Sequence, residues 1–320
     1  MPYVLRALAA LPLCLATATA FGFPDRPVRL VVPFAPGGNI DITARTIAPG
    51  MGEALGVQVL VENRAGAGGL IGSEAVVRAQ PDGYTTLLGS TGTLSTAVAL
   101  HPKIRFDPMK DLAPTSLVSV VPLVITVHPA LPARSVKEFI ALVKARPGKV
   151  TMASAGTGTS NHLAGEYFQA VTGTKMVHVP YKGSGPALTD LMGGQVDLIF
   201  DQVASSLPFI RSGRLKAIAV TTPRRSAALP DTPTLAESGL PGFDASTSTG
   251  VMLPGGTPAA IVTRMHAAVV QSVRMPSTRE GLLRIGADPL ESSPEDFAKL
   301  LRSEIDKWTK VVKTADIRVE

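Results

Sequence analysis

Pro33-Phe34-Ala35-Pro36-Gly37-Gly38-Asn39-Ile40-Asp41 follows the apolar run 28–32, and Ser154-Ala155-Gly156-Thr157-Gly158-Thr159-Ser160-Asn161-His162 follows a short apolar run at 150–153. Each stretch reads as strand, glycine-rich turn and helix start. A helix start presents unpaired backbone N–H groups and the positive end of the helix dipole, and glycine lets a ligand approach that backbone. Two such cradles, far apart in the chain, predict a molecule gripped from both sides by its negative ends. The turns carry little that could perform chemistry on it.

Working outward, strands and helices alternate. The segment 40–55 reads as a helix that Pro49 and Gly50 should kink or split. A strand at 57–61, a glycine-rich turn, a helix at 70–79 and a strand at 84–88 follow. Apolar, β-branched runs separated by helices indicate a mostly parallel sheet covered on both faces. The same grammar restarts with a strand at 123–127 and a helix opened by Ser135 and Glu138 as a capping box. After the second cradle come a helix at 161–171, strands at 175–179, 196–200 and 215–221, and a short helix at 186–192. Ser293-Pro294-Glu295-Asp296 combines a cap, a first-position proline and an acidic first turn, and opens a helix to about residue 313. Short extended crossovers near 120 and 222 make 121–222 a lobe inserted into a discontinuous one built from 21–120 and 223–320. Lobes joined by short extended segments can hinge about a cleft.

Residues 1–20 read as a secretory signal peptide: Arg6, an apolar run at 8–15, and Ala18-Thr19-Ala20 before the cleavage point. That run is shorter than the roughly 20 residues that span a membrane. Cys14, the one cysteine, lies inside this segment with Leu13 before it, which argues against lipidation. The mature 300 residues then hold no thiol, disulfide or cysteine metal site. Their 30 basic and 25 acidic side chains leave a net +5, mildly favourable to anions. With aromatics at 5%, that charge is too dilute to argue for nucleic acid.

Further blocks join the two cradles in order along the chain. They are Asn63-Arg64-Ala65-Gly66-Ala67-Gly68-Gly69, His178-Val179-Pro180-Tyr181-Lys182-Gly183, Pro186-Ala187-Leu188 and Gly193-Gly194-Gln195-Val196-Asp197. Together they resemble the Bug-type, TctC-like solute receptors, the extracytoplasmic binding proteins of tripartite tricarboxylate transporters. The resemblance covers essentially the whole mature chain. It implies an α/β, bilobal periplasmic-binding-protein fold of the Venus-flytrap, type II-like kind, with two mixed, mostly parallel sheets flanked by helices. It also implies a monomeric periplasmic receptor that captures a small carboxylate and delivers it to membrane permease subunits. Carried onto this chain, the first-lobe contacts are Phe34, Pro36, Gly37, Gly38, Asn39 and Asp41. The second-lobe contacts are Ser154, Gly156, Thr157, Gly158, Thr159 and His162, with Tyr181 and Asp201 at the cleft wall.

Each residue also has a plainer reading. The glycines could be turn residues, but their duplication on two strand–helix junctions, where open α/β sheets bind ligands, argues for a site. Thr157, Thr159 and Ser160 exceed what one helix cap needs. Asp41 would repel an anion and is read as supporting the helix dipole and shaping its turn. His162, in a helix first turn, is read as a neutral hydrogen-bonding group rather than a catalyst.

Catalytic signatures fail. Gly158-Thr159-Ser160-Asn161-His162 misses the nucleophile elbow at its last position. The candidate dinucleotide turns fail at Ile71 and Asn161, and the five histidines lack the spacing of a metal site. The expectation is a binding protein with no cofactor and no metal. A periplasmic sensor that signals to another membrane partner is the first alternative, and a secreted enzyme of unrecognised mechanism the second.

Overall fold

The computed structural model describes residues 22–100 and 104–314. The expected signal segment and Cys14 lie outside the described residues.

The first cradle is built as its sequence implies. Strand β1 (Val28–Val32) buries every position but Arg29 and lies between two parallel partners, β2 (Val59–Asn63) and β3 (Thr85–Ser90). Helix α1 (Asn39–Leu55) buries Ile40, Ala44, Ile47, Met51 and Leu55, the three- and four-residue spacing of one helix face. It closes on Gly56, whose N–H donates to the Gly52 carbonyl. The break expected at Pro49-Gly50 does not occur, and α1 runs through it. Helix α8 (Ala259–Arg274) explains why. The Ser272 hydroxyl donates to the Ile47 carbonyl at 2.9 Å, and a Cβ on Gly50 would stand 2.6 Å from that hydroxyl. Gly50 lets the two helices meet closely, and that packing outweighs one missing backbone hydrogen bond.

Two sheets share one strand. Strand β4 (Leu112–Val127) spans 16 residues. Its first part pairs antiparallel with β9 (Ser246–Pro254) and with the short β10 (Asp288–Pro289). Beyond Pro122 it pairs antiparallel with β7 (Leu198–Gln202) and β8 (Lys216–Val220). Pro122 sits where the ladder changes partners, a position that tolerates a missing N–H. The first sheet runs β2-β1-β3-β9-β4; the second continues β4-β7-β5-β6, adding β5 (Thr151–Ser154) and β6 (Val177–Pro180). Pairing within β1–β3 and within β5–β7 is parallel, and every pair involving β4 or β9 is antiparallel.

Three elements carry weak sequence signals. Strand β9 begins Ser-Thr-Ser-Thr, yet Thr247 and Thr249 are fully buried. Helix α3 (Thr91–Leu100) is rich in threonine and small residues, and α7 (Val203–Arg211) follows β7 with no intervening turn. The second lobe also holds α4 (Val136–Ala145), α5 (Ser160–Thr172) and α6 (Ser184–Met192). The first holds α2 (Leu70–Val77) and α9 (Pro276–Arg284). The last helix, α10 (Pro294–Thr314), starts at the expected cap, with Ser293 Oγ accepting the Asp296 N–H at 3.0 Å. It buries Phe297 and Leu301 in the core beside β3 and β9, and Trp308 in the core beside β5 and β7.

For the lobe boundaries we propose that the return crossing lies at 245–246. Leu235, Phe243 and Ala245 pack with the second-lobe core, and Ser246 opens β9. Through Trp308, α10 ties both lobes together.

Candidate functional site: a cavity between helix starts

Two helix starts face each other across the lobes. Helix α1 begins at Gly38 and α6 at Gly183, and neither has a side-chain cap. A Cβ on Gly38 would lie 3.5 Å from the Ser184 backbone nitrogen. Between them is a cavity of about 20 Å³, room for one water. Its walls are Phe34, Gly38, Asn39, Ile40, Ser90 and Thr93 from the first lobe, and Ala155, Asn161, Ser184 and Gln202 from the second. Asn39 is 2% exposed, and its amide nitrogen has no hydrogen-bond partner among the described residues. An unsatisfied buried donor is costly, and this one lines the cavity.

Of the expected contacts, Phe34, Gly38 and Asn39 line this cavity. Gly37 and Asp41 stand behind it: the Asp41 carboxylate accepts the Gly37 N–H at 2.9 Å, Asn63 Nδ2 at 3.0 Å and Arg45 Nε at 3.1 Å. Burial raises the Asp41 carboxyl, but Arg45, Gly37 and Asn63 outweigh it and hold the group below its ordinary range. Asp41 therefore fixes the turn.

The second turn spends several of its own donors, and leaves Ser160 Oγ buried without a partner among the described residues. Gly156 N–H donates to Ser154 Oγ, Gly158 N–H to His162 Nδ1, and His162 N–H to Thr159 Oγ1. Thr159 is the N-cap of α5, and its hydroxyl also donates to the Gly156 carbonyl at 2.7 Å. Tyr181 donates its hydroxyl to Asp190 at 2.7 Å.

Asp201 is fully buried and gathers three helices. Its Oδ1 accepts Ser184 Oγ–H at 2.6 Å and Asn161 Nδ2 at 3.0 Å. Its Oδ2 accepts the hydroxyls of Ser205 and Ser206. Burial pushes this carboxyl above its ordinary range, against the pull of those donors. Asn161 and Ser184 thus reach the cavity wall already oriented. The residues that sequence reasoning missed (Ser90, Thr93, Asn161, Ser184 and Gln202) all sit at or beside helix starts. The visible signal was Gly183-Ser184-Gly185 ahead of the short helix.

The lobes touch directly around the cavity. Ala35 N–H donates to the Lys182 carbonyl at 2.9 Å, and the Thr96 hydroxyl donates to the Gly158 carbonyl. A Cβ on Gly185 would lie 2.1 Å from the Pro36 carbonyl oxygen. This is a closed arrangement with backbone against backbone.

Two histidines scattered in sequence stack beneath the second turn. The rings of His162 and His178 lie 3.9 Å apart and are inclined by 22°. Burial pushes His162 down to about 3, helped by the charge of His178, and burial lowers His178 to about 4. Both rings are held neutral, with His162 Nδ1 accepting the Gly158 N–H and His178 Nε2 hydrogen-bonded to the Ser154 hydroxyl at 2.6 Å. The folded values lie below the ordinary 6.5, so the unfolded chain takes up protons first as pH falls. Stability present above pH 6.5 is lost as pH drops toward 4. At pH 5 the loss is about 2 kcal/mol for the buried His162, and less for the partly exposed His178, relative to pH 8. Urea unfolding at both pH values checks this, with His178→Gln expected to remove the smaller part of the slope; equal stability at pH 5 and 8 would refute the neutral pair.

Against this geometry, the model of a family described as the tripartite tricarboxylate transporter family receptor, TctC, matches residues 43–317. The solved periplasmic binding protein BugD is 38% identical, with a TM-score of 0.90 over 93% of this chain and 100% of its own. MatC from Rhodopseudomonas palustris, solved with malate, is 36% identical, with a TM-score of 0.88 over 91% of this chain and 100% of its own. A second protein of that organism, solved with adipate, is 36% identical, with a TM-score of 0.89 over 92% of this chain and 99% of its own.

Proposed function

The chain belongs to the tripartite tricarboxylate transporter receptor family, TctC, and from that premise we propose that it is a periplasmic receptor which closes on a small carboxylate and passes it to a membrane permease. The observation that carries this reading is the pair of uncapped helix starts, α1 and α6, facing each other with the unpaired Asn39 amide between the lobes. Such a place suits a carboxylate, which accepts several N–H bonds in line with two helix dipoles. Malate and adipate in the structures of two relatives support the ligand class.

In this reading the lobes part far enough to enlarge the one-water space, Gly38, Asn39, Ser90, Thr93, Asn161 and Ser184 then touch the ligand, and Phe34 and Ile40 cover its carbon chain. Gly37, Asp41, Ser154, Gly156, Gly158, Thr159, His162 and Asp201 hold those groups in place. Pro36 and Thr157 belong to the surface on which the lobes meet. Hydrogen bonds to a charged group contribute about 1.5–3 kcal/mol each, so a few support micromolar binding after the cost of ordering. No step of covalent chemistry enters, and the signal segment directs the chain outward with cleavage after Ala20.

A thermal-shift screen of residues 21–320 against citrate, C4 dicarboxylates, acidic amino acids and aromatic acids tests the proposal, with neutral amides as controls. An acid at a hundredfold excess over its Kd should add about 2.7 kcal/mol of apparent stability, and its amide none. Equal shifts from acids and amides, or none at all, would sink the carboxylate reading.

A further inference from the structure

We infer that the cleft selects carboxylates bearing a hydrogen-bond donor near the carboxyl group, a hydroxyl or an amino group, over the plain saturated acids. This rests on the carboxylate reading above and deepens it.

The cavity offers donors and acceptors in separate places. The donors are the N–H groups at the starts of α1 and α6 and the Asn39 amide nitrogen, which is buried and unpartnered. These suit the carboxylate. Two side chains of the second-lobe wall, Asn161 and Ser184, offer the opposite. Asn161 commits its amide nitrogen to Asp201 Oδ1 at 3.0 Å and to Gln202 Oε1 at 3.4 Å, leaving its Oδ1. Ser184 commits its proton to Asp201 at 2.6 Å, leaving oxygen lone pairs. An amide nitrogen only donates and a hydroxyl has one proton, so each presents an acceptor to the cavity.

Asp201 enforces this assignment. Its two oxygens take four side-chain donors, and it is fully buried. Turning Ser184 or Asn161 to donate toward a ligand would strip hydrogen bonds from a buried carboxyl, which is expensive. A carboxylate seated at the helix starts therefore has acceptors for neighbours, and a hydroxyl or amino group on its adjacent carbons satisfies them. A methylene there leaves both unpaired. The space, now that of one water, has to widen by parting of the lobes to admit the short carbon skeleton, which Phe34, Ile40 and Ala155 then line.

The test is titration calorimetry of the mature protein with matched probes: malate and aspartate against succinate, and 3-hydroxybutyrate against butyrate. The donor-bearing acid is expected to bind about tenfold to a hundredfold more tightly than its plain partner. Ser184→Ala should cut that ratio severalfold, and ammonium against hydroxyl is decided by aspartate against malate. Succinate and butyrate binding as tightly as their partners would overturn the inference and leave the carboxylate receptor standing. So would a Ser184→Ala protein that keeps the full preference. Binding by none of the acids would overturn both readings.

Discussion

Gly185→Ala is expected to weaken ligand binding by about a hundredfold, because the closed lobes must shift to relieve an overpacking cost of roughly 3 kcal/mol. The added Cβ would stand 2.1 Å from the Pro36 carbonyl oxygen, a backbone atom on the opposite lobe with no flexible side chain to move. Gly185 occupies the first turn of α6 without the left-handed backbone that other glycines here adopt. Alanine is therefore compatible with the helix, and the free protein should keep its stability or gain a few tenths of a kcal/mol. Gly193→Ala, at the other end of α6 and clear of the first lobe, is the control and should bind normally. Calorimetry with the acid that gives the largest thermal shift reads the affinity, and small-angle scattering reads closure. Undiminished affinity in Gly185→Ala, with the same compaction on binding, would show that the lobes do not close on the contact described.

Asp201→Ala is expected to cost about 3–5 kcal/mol of folding stability, enough to unfold a marginal domain. Truncation leaves Ser184 and Ser206 as buried donors without an acceptor, and leaves Ser205 and the Asn161 amide with only the Gln202 carbonyl and side-chain oxygen. Asp201→Asn keeps the shape and one acceptor oxygen, and since serine hydroxyls can rotate it should lose about 1–3 kcal/mol. Urea unfolding of the ligand-free protein separates the two. If the folded Asp201→Asn protein also lost its preference for donor-bearing acids, Asp201 would be orienting Ser184 and Asn161 rather than only supporting the fold. A loss below about 1 kcal/mol in Asp201→Ala would mean that the buried cluster reorganises freely.

Much of this was legible from local pattern. The strand–turn–helix units at Val28–Val32 and Thr151–Ser154, the cap at Ser293 and the turn-shaping role of Asp41 follow from residues within four or five positions of one another. Strand β9 and helix α3 did not follow. Their serines and threonines look exposed in sequence and are buried only because antiparallel neighbours and the facing lobe cover them. The unbroken α1 escaped for a similar reason, since Ser272 lies more than two hundred residues from Ile47.

By itself, then, the sequence determined that the chain is an α/β protein with glycine-rich helix starts suited to an anion, because glycine turns, caps and apolar periodicity act within a few residues. Only the tertiary structure decided which of those starts has donors to spare. The second turn ties up much of itself through Ser154, Thr159 and His162, leaving Ser160 Oγ buried without a partner among the described residues, whereas α6, read in sequence only as a short helix, comes uncapped against α1. Whether a donor is free depends on every acceptor around it, and those acceptors are brought together by β4 and α10 from segments far apart in the chain.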